Sequence, residues 1–168
     1  MSHADTSPIR GEANEPHLLK REQWVPVTMD KVFAFFSDAR NLEVLTPPWL
    51  HFRILTPAPI RIGEGATIRY RLRWRGVPIR WRTAITRWEP PAAFEDMQMS
   101  GPYRLWHHSH QFEALRGGTL MTDTVRYALP FGCLGQPAYR LVVRRDVEAI
   151  FDYRRHRIRD LFGGGESA

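Results

Sequence analysis

Residues 66–75 have the sequence ATIRYRLRWR, in which apolar side chains alternate with arginines. Successive side chains of a β-strand point to opposite faces, so this alternation predicts a strand with one apolar face and one basic face. After a turn at Gly76, residues 78–89 repeat the pattern on a neighbouring strand. The apolar face carries Ile68, Tyr70, Leu72 and Trp74, and the basic face carries Arg69, Arg71, Arg73 and Arg75.

Further strand-like segments flank this pair. They cover residues 17–25, 51–56, 94–100, 103–115 and 119–129, and Gly117-Gly118 joins the last two as a hairpin turn that needs positive φ. Between the first two strands, Thr28 and Asp38 can cap two short helices, and Pro47-Pro48 must end the second. The pattern thus predicts seven strands with two short helices between the first and the second.

An amphipathic helix follows the strands. Pro137 suits the first helical position, and from there apolar residues recur at intervals of three and four. The pattern predicts roughly 25 helical residues, which end at Gly163. The apolar stripe, interrupted only at Arg154 and Arg155, comprises Tyr139, Val143, Val147, Ile150, Phe151, Ile158, Leu161 and Phe162.

A sheet with one apolar face and a helix with one apolar stripe must bury these surfaces against each other. We therefore predict an α+β domain in which a curved, seven-stranded antiparallel sheet wraps around the long C-terminal helix. One helix cannot fill such a hollow, so a cavity should remain. We assign residues 1–16 to a flexible tail, residues 17–162 to one folded domain, and residues 163–168 to a second short tail.

Composition limits the classes of protein that remain. The 168 residues suffice for one domain, and 43% of them are hydrophobic, which fits a folded protein rather than a disordered one. No run approaches the roughly 18 apolar residues of a membrane span, and residues 1–15 lack the apolar segment of a signal peptide. The single cysteine, Cys133, cannot form an internal disulfide, so we expect a cytoplasmic protein. No nucleotide-binding motif occurs, and we predict no cofactor.

A more specific pattern begins at Gly101. Residues 101–112 read GPYRLWHHSHQF, and Gly118-Thr119, Asp123, Tyr127 and Pro130-Phe131-Gly132 follow. Together with the order of elements from about residue 17 to residue 162, this pattern resembles the START-like or SRPBCC superfamily, and more narrowly its polyketide cyclase/dehydrase-like bacterial members. The resemblance implies the helix-grip fold and a START-like ligand-binding domain over residues 17–162. It leaves the ligand open, because the superfamily includes lipid carriers, hormone receptors, aromatic cyclases and coenzyme Q-binding proteins.

Alternation also brings polar residues to the predicted inner face. His108 and His110 share a face of the sixth strand with two aromatic residues, and Asp123 lies on the apolar face of the seventh. A buried carboxylate needs a partner, which either imidazole can supply.

Three interpretations of this group remain open. The first, which we favour, is a structural polar network that also binds the polar end of a ligand. The second is catalysis, in which His108 or His110, oriented by Asp123, acts as a general acid or base on an enolisable polyketide or a similar substrate. The third is a metal site formed by the same three residues. We predict no bound metal.

The residues expected to contact a ligand are mostly large side chains of the inner face, because flat rings and adaptable methionines suit a planar or lipid-like molecule. Gln98 is included as an inward polar group, although the alternation of the fifth strand does not decide which of its faces points inward. The predicted set is Tyr70, Trp74, Trp81, Gln98, Trp106, Phe112, Met121, Tyr127 and Phe151.

The net charge of +6 raises the question of an anionic partner. Lys20 and Lys31 are the only lysines among 24 basic residues, so 22 are arginines. The arginine row falls on the predicted outer face of the sheet, where a solvated surface is the ordinary outcome. Nucleic-acid binding requires aromatic side chains among the arginines, and here they lie on the opposite face. Peripheral attraction to an acidic membrane surface fits this surface better.

We therefore expect the protein to bind or carry a small, largely hydrophobic molecule that is lipid-like, aromatic or polyketide-like. One alternative is a cyclase- or dehydratase-type enzyme that uses the histidine and aspartate group of the same cavity. Another is a basic surface that interacts with a membrane or with nucleic acid. The pattern does not determine the oligomeric state.

Overall fold

The computed structural model describes residues 16–130 and 137–163, which form one sheet and a long helix. Within these ranges the strands are β1 (His17–Val25), β2 (Arg53–Ile54), β3 (Thr67–Trp74), β4 (Val77–Glu89), β5 (Ala93–Ser100), β6 (Leu105–Leu115) and β7 (Gly118–Ala128). The helices are α1 (Met29–Phe36), α2 (Asn41–Leu45) and α3 (Pro137–Phe162), with a 3-10 turn at Pro48–Leu50. Almost all of both predicted tails, and Cys133, lie outside the described residues.

The sheet is antiparallel and has the strand order β1-β7-β6-β5-β4-β3-β2. Each strand from β2 to β7 pairs with the next one along the chain, and β1 pairs with β7. The α1–α2 segment carries the chain from β1 at one edge to β2 at the other. The predicted α+β, helix-grip architecture is therefore confirmed, including the two short helices between the first two strands.

β2 is shorter than the alternation over residues 51–56 predicts. Only Arg53 and Ile54 pair with β3. His51 has a φ of 45°, in the left-handed region, and ends the 3-10 turn. The backbone N–H groups of Leu55 and Thr56 both donate to the carbonyl of Arg69, at 2.8 and 3.2 Å, so the regular ladder stops there.

A tight hairpin fixes the register of β6 and β7. Arg116 and Gly117 have φ values of 50° and 77°, as the favoured two-residue hairpin turns require. The predicted turn pair, Gly117-Gly118, is therefore wrong by one residue, because Gly118 is already the first residue of β7 and lies opposite Leu115. A Cβ atom added to Gly118 would lie 2.3 Å from the carbonyl oxygen of Val25, so glycine allows β1 to approach β7 here.

The apolar stripe of α3 packs against the inner face of the sheet. Val143, Val147, Phe151 and Ile158 are buried, each with at most 4% of its surface exposed. The first three join a cluster with Val125 and other residues of the β1–β7 side, and Ile158 joins a second cluster that includes residues of α1, β4 and β5. Full burial of such a side chain stabilises a fold by about 1.5–3 kcal/mol, so this stripe supplies the main attachment of α3.

Polar contacts tie α3 to strands on opposite sides of the sheet. On β1, Gln23 Nε2 donates to the backbone carbonyl of Arg155 at 3.1 Å. On β3, Trp74 Nε1 donates to Asp146 Oδ2 at 2.6 Å, and the Arg75 guanidinium donates to both oxygens of the same carboxylate at 3.0 Å. These contacts fix the helix over the sheet from both flanks.

The variant Gly118→Ala should be less stable than the wild type. Its added Cβ would meet the Val25 carbonyl oxygen at 2.3 Å and the Trp24 ring at 2.6 Å, so β1 must move away from β7. We expect the free energy of unfolding to fall by about 1–3 kcal/mol, as measured by urea denaturation. Gly63→Ala is the control, because nothing lies within 4 Å of the added Cβ there. Equal urea midpoints for the two variants would contradict the close approach of β1.

Candidate functional site

A cavity of about 190 Å³ lies between the inner face of the sheet, α3 and the α1–α2 segment. Strands β3 to β6 supply the largest share of its wall, and the lining is mainly apolar and aromatic. An apolar cavity of about 150 Å³ is known to bind benzene, so this volume admits a somewhat larger ring. The hollow expected from the one-sided sheet and the single helix is therefore present.

Five of the residues predicted to contact a ligand line this cavity. They are Tyr70, Trp74, Trp81, Trp106 and Phe151. Trp81 lies among the aromatic rings, 5.8 Å from the Tyr70 ring in a stacked arrangement and 5.3 Å from the Trp106 ring at 90°. Phe151 enters from α3, and its ring lies 5.4 Å from that of His108. The aromatic wall and the histidines therefore meet in the same space.

Phe112 and Met121, which were also predicted to contact a ligand, do not line this cavity. Both belong to the apolar cluster that includes residues of α1, where the Phe112 ring meets the Phe33 ring edge-on at 5.8 Å. They point to the predicted inner face, but α1 covers that part of the sheet. Protein side chains therefore fill the space that a ligand would need.

Gln98 and Tyr127 also lie away from the cavity lining. The Gln98 amide braces the turn after β5, since its Nε2 donates to the Tyr103 carbonyl at 2.7 Å and its Oε1 accepts the Tyr103 N–H at 3.3 Å. Tyr127 is 3% exposed and packs between the rings of Trp106 and His17. Both side chains, which were predicted to contact a ligand, therefore contact neighbouring residues of the protein instead.

The residues of the cavity wall that were not proposed from the sequence include Thr83, Asp96 and Arg154. Asp96 lies directly opposite His108 in the β5–β6 pairing, a relation that follows from strand register and not from alternation alone. Arg154 interrupts the apolar stripe of α3, and its guanidinium carbon lies 5.0 Å from the centre of the Phe151 ring. The break in the apolar stripe at Arg154 was the only feature of the sequence that could have indicated a cation in the cavity wall.

Two carboxylates and two imidazoles form a buried cluster beside the cavity. Asp96 is on β5, His108 and His110 are on β6, and Asp123 is on β7. The register places Asp96 opposite His108, and Asp123 opposite His110. The sequence predicted three of the four members, and it missed Asp96 because it left the inner face of β5 undecided.

Each imidazole lies between the two carboxylates. His108 Nε2 donates to Asp123 Oδ1 at 3.2 Å, and His110 Nδ1 lies 2.7 Å from the same oxygen, although the ring N–H is not directed at it. On the other side, Asp96 Oδ2 lies 3.7 Å from His108 Nδ1 and 3.6 Å from His110 Nε2. The Thr83 hydroxyl donates to the remaining oxygen of Asp96, Oδ1, at 2.9 Å.

Aromatic rings hold the imidazoles in place. The two imidazole rings are 3.8 Å apart between centroids, and the Phe94 ring stacks on His110 at 4.1 Å with an interplanar angle of 22°. Both histidines are 5% exposed. His108, His110 and Asp96 line the cavity, whereas Asp123 lies behind them.

Burial and mutual contact set the charges of the cluster. Burial alone would raise the pKa of Asp123 and of Asp96, but the neighbouring imidazoles outweigh it and hold both pKa values below their usual range, that of Asp123 far below. Burial, together with the nearby His110, lowers the pKa of His108 to about 4. Burial also opposes a charge on His110, but Asp123 and Asp96 outweigh it and raise its pKa. His108 is therefore neutral at neutral pH, whereas the two carboxylates favour their ionised form and His110 favours its charged form more than an ordinary histidine does.

Two further polar groups of the wall remain neutral. Burial, with a smaller contribution from Asp96, raises the pKa of Tyr70 well above its ordinary value, so its hydroxyl stays protonated. Trp81 Nε1 is buried and has no hydrogen-bond partner among the described residues. A buried donor without a partner is unfavourable by about 1–3 kcal/mol. An acceptor oxygen on a bound molecule would remove that penalty.

The outer face of β3 and β4 carries the predicted arginine row. Arg69 lies opposite Arg82, and Arg71 opposite Arg80, and all four are exposed. Like charges that face each other across an antiparallel pair are destabilising. An anionic partner or screening ions would therefore reduce the repulsion between these arginines. The outward orientation predicted from the alternation holds for these four arginines, but Arg75 lies in the turn after β3, with a φ of 50°, and forms an ion pair with Asp146 of α3.

Comparison with known proteins identifies a family and a fold. The family model described as polyketide cyclase / dehydrase and lipid transport matches residues 25–151. The Zhui aromatase/cyclase from Streptomyces sp. R1128 has a TM-score of 0.69 and 16% identity, over 90% of this chain and 99% of that one. A START superfamily protein from Mycobacterium smegmatis has a TM-score of 0.64 and 14% identity, over 86% and 99% of the two chains. At these identities the structural likeness shows the fold alone.

A third solved structure, the ginseng major latex-like protein 151 from Panax ginseng, has a TM-score of 0.61 and 11% identity, over 88% of this chain and 97% of that one. No curated protein matches the chain in sequence. Within the described residues, no helix is long and apolar enough to cross a membrane. The fold is therefore shared widely among proteins whose sequences differ.

Loss of Asp123 should destabilise the protein far more than loss of a surface carboxylate. Asp123→Ala leaves two buried imidazoles without the oxygen that both contact, and breaking a buried ion pair is unfavourable by about 3–5 kcal/mol. Glu95→Ala is the control, because Glu95 on β5 contacts the partly exposed His107 of β6 at 2.9 Å and the partly exposed Arg87 of β4 at 3.2 Å. There we expect a loss of at most about 1 kcal/mol. Urea unfolding measures both values, and equal losses would contradict a tightly coupled cluster.

Proposed function

Since the chain belongs to the polyketide cyclase / dehydrase and lipid transport family, we propose that it binds and carries a small, largely hydrophobic molecule in the cavity between the sheet and α3. One observation carries the proposal: a cavity of about 190 Å³ has a mainly apolar and aromatic wall with a minority of polar groups. Binding sites for small molecules have this composition, because apolar contact supplies affinity and a few polar groups fix orientation.

The aromatic side of the wall favours a planar or ring-containing molecule. Trp81, Trp106 and Tyr103 lie within 5.6 Å of one another between ring centroids, with interplanar angles from 42° to 90°. Rings in such mixed orientations present both faces and edges to a neighbour, and aromatic contacts prefer offset-stacked or edge-on geometry. A flat apolar molecule can therefore contact several of these rings at once.

Two hydrogen-bond donors carried by the aromatic residues of the wall favour a molecule with an acceptor oxygen. Trp81 Nε1 offers a buried N–H without a partner among the described residues, and the Tyr70 hydroxyl lies in the same wall. Leaving a buried donor unpaired is unfavourable, so a carbonyl or phenolic oxygen at this position would add affinity and selectivity. We therefore propose an apolar ring compound with at least one such oxygen.

Filling the cavity should abolish binding of an apolar probe. Ile150 lines the cavity from α3, and Ile150→Trp would place a larger ring in the space. We expect the affinity for the uncharged fluorescent dye N-phenyl-1-naphthylamine to fall at least about tenfold, which corresponds to about 1.4 kcal/mol. Leu141→Trp on the same helix is the control, because Leu141 is 49% exposed and should leave the affinity unchanged.

Equal dye affinities of the wild type and Ile150→Trp would contradict binding in this cavity, as would a failure of the wild type to bind the dye. Native mass spectrometry of the freshly purified protein gives an independent result. A co-purified small molecule that is present in the wild type and absent from Ile150→Trp would identify the class of the natural ligand.

A second candidate function is catalysis by the histidine pair, in a cyclase- or dehydratase-type reaction. The observation that favours it is geometric: His108 and His110 face the cavity, and Asp123 contacts both rings from behind. A carboxylate behind an imidazole is the usual means of orienting a general acid or base. The aromatase/cyclase named above shares the fold only, so its activity adds nothing to this assignment.

Hydrogen exchange in an enolisable substrate separates the two functions. A carrier should not accelerate deuterium incorporation into an aryl β-diketone above the rate in buffer, as followed by NMR, whereas an acid–base enzyme should. If the wild type accelerates the exchange, and His108→Gln and His110→Gln lose the acceleration but keep their affinity for the dye, the enzyme is established. The carrier function predicts no acceleration in the wild type.

The outer arginine face stays a prediction as a site for an acidic membrane surface. Between Arg69 and Arg82, the aromatic residues of β3 and β4 line the cavity and do not stand among the exposed arginines. This arrangement disfavours the stacking that single-stranded nucleic acid requires. Charge attraction to anionic lipid needs only the exposed guanidinium groups.

A further inference from the structure

Three potential ligand atoms in the cavity wall converge without forming hydrogen bonds to one another. They are Asp96 Oδ2, His108 Nδ1 and His110 Nε2, and all three lie within 4.8 Å of one another. The oxygen is 3.7 Å from the first nitrogen and 3.6 Å from the second. N–H···O hydrogen bonds span about 2.7–3.2 Å, so these separations are too long for direct bonds.

The same separations fit a shared metal ion. Ligand atoms that each lie about 2.0–2.2 Å from a tetrahedral centre are about 3.3–3.6 Å apart. The two distances from Asp96 Oδ2, 3.7 and 3.6 Å, lie at or just above the upper end of that range, and the two nitrogens lie within 4.8 Å of each other. Two histidines at positions i and i+2 of one strand point to the same face, so β6 presents both imidazoles to one point. Asp96 reaches that point from the neighbouring strand, β5, opposite His108.

The far side of each ligand residue already has a partner. Asp123 Oδ1 lies 3.2 Å from His108 Nε2 and 2.7 Å from His110 Nδ1, the nitrogens that point away from Asp96. The Thr83 hydroxyl donates to Asp96 Oδ1 at 2.9 Å, which leaves Oδ2 available. Metal-binding histidines commonly contact a carboxylate through their second nitrogen, and binding carboxylates are themselves hydrogen-bonded.

Charge also favours a cation here. The side chains of Asp96 and Asp123 are only 17% and 11% exposed, and carboxylates removed from water in this way are normally paired or bound to a metal. A divalent cation with two neutral imidazoles balances both carboxylates. Nitrogen and oxygen ligands together favour zinc, iron or cobalt over magnesium or calcium, which prefer oxygen alone.

We propose that Asp96, His108 and His110 form a binding site for a divalent transition-metal ion in the cavity wall. The third ligand of the metal site considered from the sequence, Asp123, becomes the residue that supports both imidazoles from behind. Three protein ligands leave at least one coordination position for water or for an oxygen of a bound molecule. The site does not depend on the carriage of a hydrophobic molecule, because it is formed by the sheet alone.

Cobalt(II) tests this proposal, since its visible absorption reports the number of ligands. The full chain, freed of metal by dialysis against a chelator, should bind one equivalent of Co²⁺, gain visible absorption bands, and lose them when Zn²⁺ is added. His108→Gln and Asp96→Asn should each weaken the binding at least about tenfold, because even loss of a residue that only supports a ligand typically weakens metal binding by about 10–100-fold. His107→Gln should bind Co²⁺ as the wild type does, because His107 contacts Glu95 on the other face of β6.

Two further measurements on the wild type keep the test valid if the variants fail to fold. The melting temperature should rise with Co²⁺ concentration, because an ion that binds only the folded state stabilises it. Nitrogen NMR signals of His108 and His110 should shift on addition of Zn²⁺, while that of His107 stays in place. No saturable Co²⁺ binding by the wild type overturns the proposal, as does unchanged binding by folded His108→Gln and Asp96→Asn. A wild type that binds Co²⁺ but does not bind the dye would instead contradict the carrier function and leave the metal site supported.

Discussion

The attachment of α3 to both flanks of the sheet is the constraint on which the rest of the structure depends. Gln23 on β1 and Trp74 on β3 each hydrogen-bond to the helix, at 3.1 and 2.6 Å, and a buried apolar stripe holds it between them. A single helix fixed in this way cannot descend into the curved sheet to fill it. The cavity therefore follows from how the helix is held and does not reflect poor packing.

Strand register converts this hollow into a chemical site. The pairings Asp96 with His108 and His110 with Asp123 bring four ionisable groups together from three neighbouring strands. A slip of one residue would turn every one of these side chains on the slipped strand to the outer face. The tight turn at Arg116 and Gly117 sets the pairing of β6 with β7, so a backbone feature at the end of the hairpin determines the geometry of the cluster.

The sequence predicted faces well and neighbours poorly. Strict alternation placed Tyr70, Trp74 and Trp81 on the inner face, and the structure has all three in the cavity wall. Alternation does not tell which part of that face another element covers, so Phe112 was assigned to a ligand although α1 packs on it. The sequence did not decide which face of β5 points inward. In the structure, the pairing of β5 with β4 is irregular, with a register shift between Arg82 and Thr83. Asp96 was missed for this reason, since its role depends on residues that are distant in sequence.

Stability alone does not account for the buried cluster. Apolar residues of similar volume can often replace a buried ion pair with no loss, or with a gain of about 1–4 kcal/mol. Tight turns and long ladders already fix the pairing of β6 with β7. Asp123 and Thr83 contact the outer atoms of the group, whereas the atoms that face the cavity are 3.6 Å or more apart across the Asp96 contacts and cannot satisfy one another. The atoms of the cluster that point away from the cavity have hydrogen-bonding or charged partners, whereas those that face the cavity are too far apart to hydrogen-bond to one another. This arrangement suits an ion or a polar group that binds from the cavity.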